Sequence, residues 1–97
     1  MVSSLDQLRT RQDEILKIAA KHGAGNVRVF GSVARGDSRP DSNVDFLIDI
    51  VGPTTPWFPG SLLADLEDAL GRWVDIVIAR SLSPIIRDSV LKDAIPL

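Results

Sequence analysis

The chain has 97 residues, 44% hydrophobic and 25% charged, which is the length of one domain and the composition of a globular protein. Its 11 basic and 13 acidic side chains give a net charge of −2, which excludes a strongly basic nucleic-acid clamp. With no cysteine and one histidine, His22, it lacks a disulfide framework, a thiolate metal site and a His-rich zinc site. Any chemistry must therefore come from carboxylates, hydroxyls, arginines and backbone.

The N-terminal segment is polar, and the longest apolar stretches have four or five residues. A signal peptide or a membrane span needs a longer apolar run. We therefore expect one cytoplasmic domain over residues 1–97 that makes no membrane contact.

Hydrophobic periodicity predicts the order α-β-turn-β-loop-α-β-α. The predicted elements are helices over 4–22, 61–70 and 84–94, strands over 26–31, 44–51 and 72–79, a short helical turn over 33–36 and a Pro/Gly-rich loop over 52–60. Ser4 and Ser61 are candidate N-caps, and Pro84 suits the first turn of the last helix. The order predicts an α/β (α+β) fold, a small mixed β-sheet backed by helices.

A Gly31-Ser32 pair follows the first predicted strand. Glycine lets a ligand approach the backbone, because no Cβ stands in the way. The serine hydroxyl and the exposed N–H groups at the start of a helical turn are donors that an anionic phosphate requires. The pair is a candidate phosphate-binding turn, although such dipeptides also occur in ordinary turns.

Polar residues interrupt two strands that are otherwise apolar. Asn43 and Asp45 lie on one face of the second strand, and Asp75 lies inside the third. If the strands are neighbours, Asp75 approaches Asp45, and an unpaired carboxylate in such a strand is costly. Carboxylates that converge near a phosphate turn suit Mg²⁺, and two such ions would hold a triphosphate.

The run Gly31-Ser32, ten residues, Asn43-Val44-Asp45 resembles the G-S-X10-D-X-D signature of the nucleotidyltransferase superfamily. The segment GSVARGDSRPDSNVDFLID is most similar to the minimal nucleotidyltransferase (MNT) group, and VDIVI matches the third acidic strand of that group. The resemblance covers essentially the whole chain, from about residue 5 to about residue 95, in element order as well as in motif.

This resemblance implies a polymerase-β-like nucleotidyltransferase core. Gly31 and Ser32 would bind the β- and γ-phosphates of ATP, Arg35 of the A-R-G segment would reach a phosphate, and the strand residues with Asp75 would bind two Mg²⁺ ions. Proteins of the group are commonly antitoxins of HEPN–MNT pairs, in which AMP passes from ATP to a tyrosine hydroxyl of the HEPN ribonuclease toxin. A hetero-oligomer with such a toxin is the implied partner state, without direct nucleic-acid binding.

The chain departs from the signature at Asn43, where the family has aspartate. Asparagine keeps the size and one carbonyl oxygen but loses the charge, so the metal ions should bind more weakly. Two interpretations stay open: the chain is an inactive or impaired variant, natural or engineered, or a nearby acid such as Asp41 partly substitutes. Nucleotide and partner binding are compatible with both.

Three further side chains have two interpretations each. His22, at the end of the first helix, is expected to cap it rather than to catalyse. Trp57 and Phe58 suit either a partner interface or the edge of the core. Trp73 shares a strand face with Asp75 and is expected to pack rather than to stack on a base.

The main hypothesis is an MNT-type antitoxin that transfers AMP to a partner, since a chain without tyrosine cannot modify itself at that residue. The alternative is a binding module that neutralises a toxin by masking it, without catalysis. A transferase for a small-molecule acceptor is a third hypothesis, disfavoured because 97 residues leave little room for an acceptor domain.

Overall fold

The computed structural model describes residues 4–39 and 41–97; Pro40, within the SRPDS insert of the motif, lies outside them. The elements in chain order are α1 (Leu5–Thr10), α2 (Gln12–Lys21), β1 (Ala24–Phe30), α3 (Gly31–Arg35), β2 (Val44–Ile50), α4 (Gly60–Leu70), β3 (Val74–Ile78), a 3₁₀ turn (Ala79–Ser81), α5 (Pro84–Asp93) and β4 (Ile95–Pro96). Among these residues no helix is both long enough and apolar enough to cross a membrane.

The strands form one mixed sheet in the order β3-β2-β1-β4. β1 runs antiparallel to β2 and to β4, whereas β2 and β3 are parallel and connected through α4. A parallel pair needs such a crossover, because its strands start at the same edge of the sheet. The predicted small mixed sheet backed by helices is confirmed.

The main core cluster lies on one face of the sheet, and Leu47 of β2 is buried on the other. Side chains of β2 alternate, so Val44, Phe46 and Ile48 enter the core. Helix α4 supplies a stripe of buried leucines at four-residue spacing, and α2 packs beside it. The buried helical residues of this core are Leu8, Ile15, Ala19, Val33, Leu62, Leu66 and Leu70.

Several boundaries differ from the prediction: β1 spans Ala24–Phe30 rather than 26–31, α3 spans Gly31–Arg35 rather than 33–36, and β3 spans Val74–Ile78 rather than 72–79. Two further differences concern the helices. The single helix predicted over 4–22 is divided at Arg11, which ends α1 and precedes α2. Ser4 does cap the start, its hydroxyl accepting from the Gln7 N–H at 3.2 Å. Ser61 is not the N-cap of α4, because that helix begins at Gly60 and its cap position is Pro59.

The end of the chain also differs from the prediction. Helix α5 stops at Asp93, and Ile95–Pro96 form the short strand β4 beside β1. A strand of two residues gives no periodic signal, so sequence patterns did not reveal it. Pro84 lies in the first turn of α5 as predicted, and Ser83 caps that helix.

Candidate active site

The phosphate-turn candidate lies where β1 passes directly into α3. Phe30, the last residue of β1, is paired in register with Asp45 of β2. The next residue, Gly31, has a φ of +74°, which favours glycine, and a Cβ there would collide with Oδ2 of Asp45. Gly31 therefore allows the turn to lie against the carboxylate. Ser32 follows it in α3, where the first N–H groups of the helix have no partner within it.

The two predicted acids lie side by side in the sheet. Asp45 and Asp75 are register partners in the parallel pair β2–β3. The pKa of Asp45 is raised to about 6, first by burial and then by the charge of Asp75 and a hydrogen bond with it, whereas Arg35 opposes the shift. Such a like-charged, partly desolvated pair is stabilised by any cation that binds between its members.

Asn43 joins this pair through its amide group. Its Nδ2 donates to Oδ2 of Asp75 at 2.9 Å. The structure thus brings Asn43, Asp45 and Asp75 together at the N-terminal ends of β2 and β3, beside Gly31. Asp41, considered above as a substitute acid, lies in the preceding loop and lines a pocket with Trp73.

Arg35 lies in the last turn of α3, about half exposed, and is held by two carboxylates. Its Nη1 donates to Asp93 of α5 at 2.9 Å, and its Nε donates to Asp37 at 3.3 Å. Both bonds raise the pKa of the Arg35 guanidinium, so its charge is secure. A phosphate at this position would compete with Asp93 and Asp37. Sequence reasoning missed Asp93, because the contact joins residues 58 positions apart.

Two polar side chains fix the backbone at the starts of β2 and β3. Arg72 is buried, and its Nη2 donates to the carbonyl of Arg39 at 3.0 Å and to that of Ser42. Glu67 of α4 accepts the N–H of Val74 at 3.0 Å. The sequence predicts position 72 within a strand, and that prediction gives no sign that Arg72 binds backbone carbonyls. A charged residue directly before an apolar run is the signal that could have found it.

Other candidate residues have partners outside this site. Asp49 accepts from Asn26 at 2.8 Å and from Arg28 at 2.9 Å, and both interactions lower the pKa of its carboxyl group. His22 follows the end of α2 but joins it to α4, through Asp65 at 2.7 Å and Ser61 at 3.2 Å. The imidazole therefore bridges two helices rather than only capping one.

The aromatic residues also separate. Phe58 packs against the core, whereas Trp57 is 80% exposed. Trp73 is 70% exposed, so the expectation that it packs is wrong. Trp73 directly precedes β3 and lies on the same face of the sheet as Asp75. The main core cluster does not cover that face at this position, and both side chains are exposed.

The donor set fits a divalent ion with oxygen preference. Mg²⁺ takes carboxylate and carbonyl oxygens together with phosphate oxygens and water. Asp45, Asp75 and the amide oxygen of Asn43 are donors of this kind, and the pKa of Asp45 is raised by its burial and then by the neighbouring charge of Asp75. In the described parts of the chain no group of three or more His, Cys, Asp and Glu side chains is placed to hold a metal ion.

Comparison with known proteins agrees with this geometry. Residues 13–97 match the model of the family described as polymerase beta, nucleotidyltransferase. A protein adenylyltransferase, MntA, of Thermococcus cleftensis is 33% identical over 79 residues, which is 81% of this chain and 80% of the relative. A protein of Methanocaldococcus jannaschii described as a candidate protein adenylyltransferase is 30% identical over 82 residues, which is 84% of this chain and 88% of the relative.

Solved structures show the same fold. One, described as a candidate minimal nucleotidyltransferase, superposes with a TM-score of 0.83 at 47% identity and covers 97% of this chain and 96% of its own. A toxin–antitoxin complex with AMP-PNP superposes with a TM-score of 0.74 at 22% identity, over 88% of this chain and 70% of its own, which supports the fold alone. This chain belongs to the polymerase β nucleotidyltransferase family, as one of its minimal members.

Proposed function

We propose that this chain is an MNT-type antitoxin that transfers AMP from ATP to a tyrosine hydroxyl of a HEPN ribonuclease toxin in the cytoplasm. The observation that carries the proposal is the register pairing of Asp45 with Asp75 directly beside the Gly31 turn. Relatives named protein adenylyltransferase, and the fold shared with a toxin–antitoxin complex, support it.

In the proposed reaction the backbone at Gly31 and Ser32 binds the β- and γ-phosphates of ATP. The acceptor hydroxyl oxygen attacks the α-phosphorus, the bond from that phosphorus to the bridging oxygen breaks, and pyrophosphate leaves. The hydroxyl proton passes to a carboxylate of the pair Asp45 and Asp75. Two Mg²⁺ ions, held by Asn43, Asp45 and Asp75 when bound, would neutralise the triphosphate and lower the pKa of the attacking hydroxyl.

In the proposed mechanism, asparagine at position 43 lowers the rate of AMP transfer. A metal site with two carboxylates binds its ions more weakly than one with three, and the Asn43 amide is already engaged with Asp75. The same hydrogen bond supports a second candidate function, a non-catalytic antitoxin that only masks its toxin. In that case the strand residues hold the sheet edge together and ATP is not turned over.

The two functions are separated by transfer of label from α-labelled ATP to a purified HEPN toxin in the presence of Mg²⁺. With the native chain we expect label on the toxin together with loss of the toxin's ribonuclease activity. With the Asp45→Asn variant of the chain we expect no label and a ribonuclease that stays active. A toxin in which the acceptor tyrosine is replaced by phenylalanine is the matched acceptor control.

Neutralisation without label, in the native chain and in Asn43→Asp alike, would establish masking instead. A lack of both label and neutralisation would overturn the antitoxin function itself. Asp41→Asn is compared in the native chain and in Asn43→Asp: transfer that falls in the native chain but not in Asn43→Asp would show that Asp41 substitutes for the missing acid.

A further inference from the structure

A pocket of about 530 Å³ lies next to the acids, at the starts of β2 and β3 and the end of α4. It is lined by Asp41, Ser42, Glu67, Asp68, Gly71, Arg72 and Trp73. Ser42 directly precedes Asn43, and Trp73 lies two residues before Asp75 on the same strand face. The pocket is therefore adjacent to the candidate active site, although the acids of that site are not part of its lining.

Trp73 presents an aromatic surface to this pocket. Its indole is 70% exposed, although its backbone is fixed, since its carbonyl accepts the N–H of Val44 at 2.9 Å. A rigidly mounted, exposed tryptophan is the kind of residue that dominates binding at protein interfaces.

The lining of the pocket is negatively charged. Asp41 and Asp68 are exposed carboxylates, and Glu67 adds a third acid beside the Val74 N–H. Arg72 also lines the pocket and donates to the carbonyls of Arg39 and Ser42, so three acidic side chains face one basic side chain in the lining. This field repels a triphosphate and attracts a cation, and a Lys or Arg side chain also binds favourably over an indole face.

The position of the pocket agrees with the side from which an acceptor must approach. β2 lies between β1 and β3 in the sheet, so the Gly31 turn is on one side of Asp45 and the Trp73 pocket is on the other. In phosphoryl transfer the attacking and the leaving oxygens lie roughly in line on opposite sides of phosphorus. If pyrophosphate leaves at the Gly31 side, the acceptor hydroxyl enters from the Trp73 side.

We propose that this pocket binds the acceptor-bearing segment of the partner protein, and that this segment carries Lys or Arg next to its acceptor tyrosine. The inference rests on the proposed function, because it places the second substrate of that same reaction. Trp73 supplies the platform, and Asp41 and Asp68 supply the charge that selects the flanking cation.

The test uses the full chain and two capped synthetic peptides, Arg-Tyr-Arg and Glu-Tyr-Glu. The chain has two tryptophans, so the indole N–H signals of Trp73 and Trp57 in an NMR spectrum report separately. Trp57 is 80% exposed and lies in the loop before α4, at the opposite end of that helix from Trp73, which makes it an internal control. Trp57→Phe assigns the two signals.

We expect Arg-Tyr-Arg to shift the Trp73 signal and not the Trp57 signal, and Glu-Tyr-Glu to have little effect. The double variant Asp41→Asn, Asp68→Asn should weaken binding of Arg-Tyr-Arg about fivefold, as expected for exposed charge pairs. Asp13→Asn, an exposed acid on α2 outside the pocket lining, should leave it unchanged.

Equal shifts with both peptides, or no Trp73 shift with either, would overturn the assignment. So would a Trp73 shift caused by Mg-ATP, which would make the pocket a nucleobase platform, or one caused by raising the protein concentration, which would make it a self-association surface. Mg-ATP is expected to shift the backbone signals of Gly31 and Ser32 and those of Asn43, Asp45 and Asp75, but not the indole signal of Trp73. If it does not while Arg-Tyr-Arg still binds at Trp73, the nucleotidyl transfer fails and the peptide-binding pocket stands.

Discussion

Replacing Asn43 by Asp tests how the strand residues of the candidate site interact. In the native chain the Asn43 amide donates to Oδ2 of Asp75 at 2.9 Å. An aspartate at this position has no donor, so the hydrogen bond is lost and two carboxylates face each other at about that separation. The variant should therefore be less stable without a divalent ion and should regain stability when one binds.

The magnitude follows from the distance and the exposure. Two unit charges at 2.9 Å repel by about 1.4 kcal/mol in water and by about 6 kcal/mol at the dielectric of a protein surface. Asn43 and Asp75 are both exposed, so the lower end applies, and the lost hydrogen bond adds about 1 kcal/mol. A loss of about 2 kcal/mol lowers the melting temperature of a domain this size by about 10 °C.

Thermal unfolding with and without Mg²⁺, at constant ionic strength, measures this effect. Mg²⁺ at a hundred times its Kd should return about 2.7 kcal/mol to Asn43→Asp and much less to the native chain. Asn26→Asp is the matched control, since Asn26 donates to Oδ2 of Asp49 at 2.8 Å outside the site. Equal recovery in both variants, or none in Asn43→Asp, would refute the interpretation of position 43 as a weakened metal ligand.

Two further substitutions test the phosphate turn and a surface network. Gly31→Ala should abolish ATP binding and destabilise the fold by more than Gly36→Ala, because both residues have positive φ but only a Cβ at position 31 meets a carboxylate oxygen of the site; equal losses of stability and unchanged nucleotide titrations would contradict this. Asp49→Asn should lower the melting temperature at neutral pH, because Asn26 and Arg28 depress the pKa of Asp49. The difference from the native chain should begin to shrink as the pH falls below about 4, the pKa of an unfolded aspartate, and should be lost below the lower pKa of the folded state; a difference that persists in stronger acid would contradict it.

The approach of Asp75 to Asp45 was predictable, on the condition that their strands are neighbours, because both acids interrupt short runs that are otherwise apolar. Alternation placed Asp45 opposite Val44 and Phe46, whereas the parallel register of β2 and β3 is a finding of the structure. Gly31 was predicted as a position where a ligand approaches the backbone, whereas its close contact with the Asp45 carboxylate is a finding of the structure.

Contacts between distant segments were not predictable from periodicity. The ion pair of Arg35 with Asp93 and the bridge from His22 to Asp65 join elements whose relative positions no local pattern specifies. Trp73 was misjudged because alternation places a side chain on a face but does not say whether another layer covers that face. Burial there depends on tertiary packing.

The residues that fix the backbone of the site, Glu67 and Arg72, are different from the acids Asp45 and Asp75 that carry its chemistry. Glu67 accepts the N–H of Val74, the first residue of β3, and Arg72 donates to carbonyls of the loop before β2. These bonds fix the positions at which the two strands begin relative to each other. Neither side chain belongs to the acid pair, yet the approach of Asp45 to Asp75 depends on that common start. Glu67 and Arg72 also line the Trp73 pocket. A substitution of either residue would therefore alter both the strand register and the proposed binding of the acceptor segment. Asp41 and Asp68, which share the pocket without holding a strand, are therefore the positions at which binding can be tested without disturbing the acids.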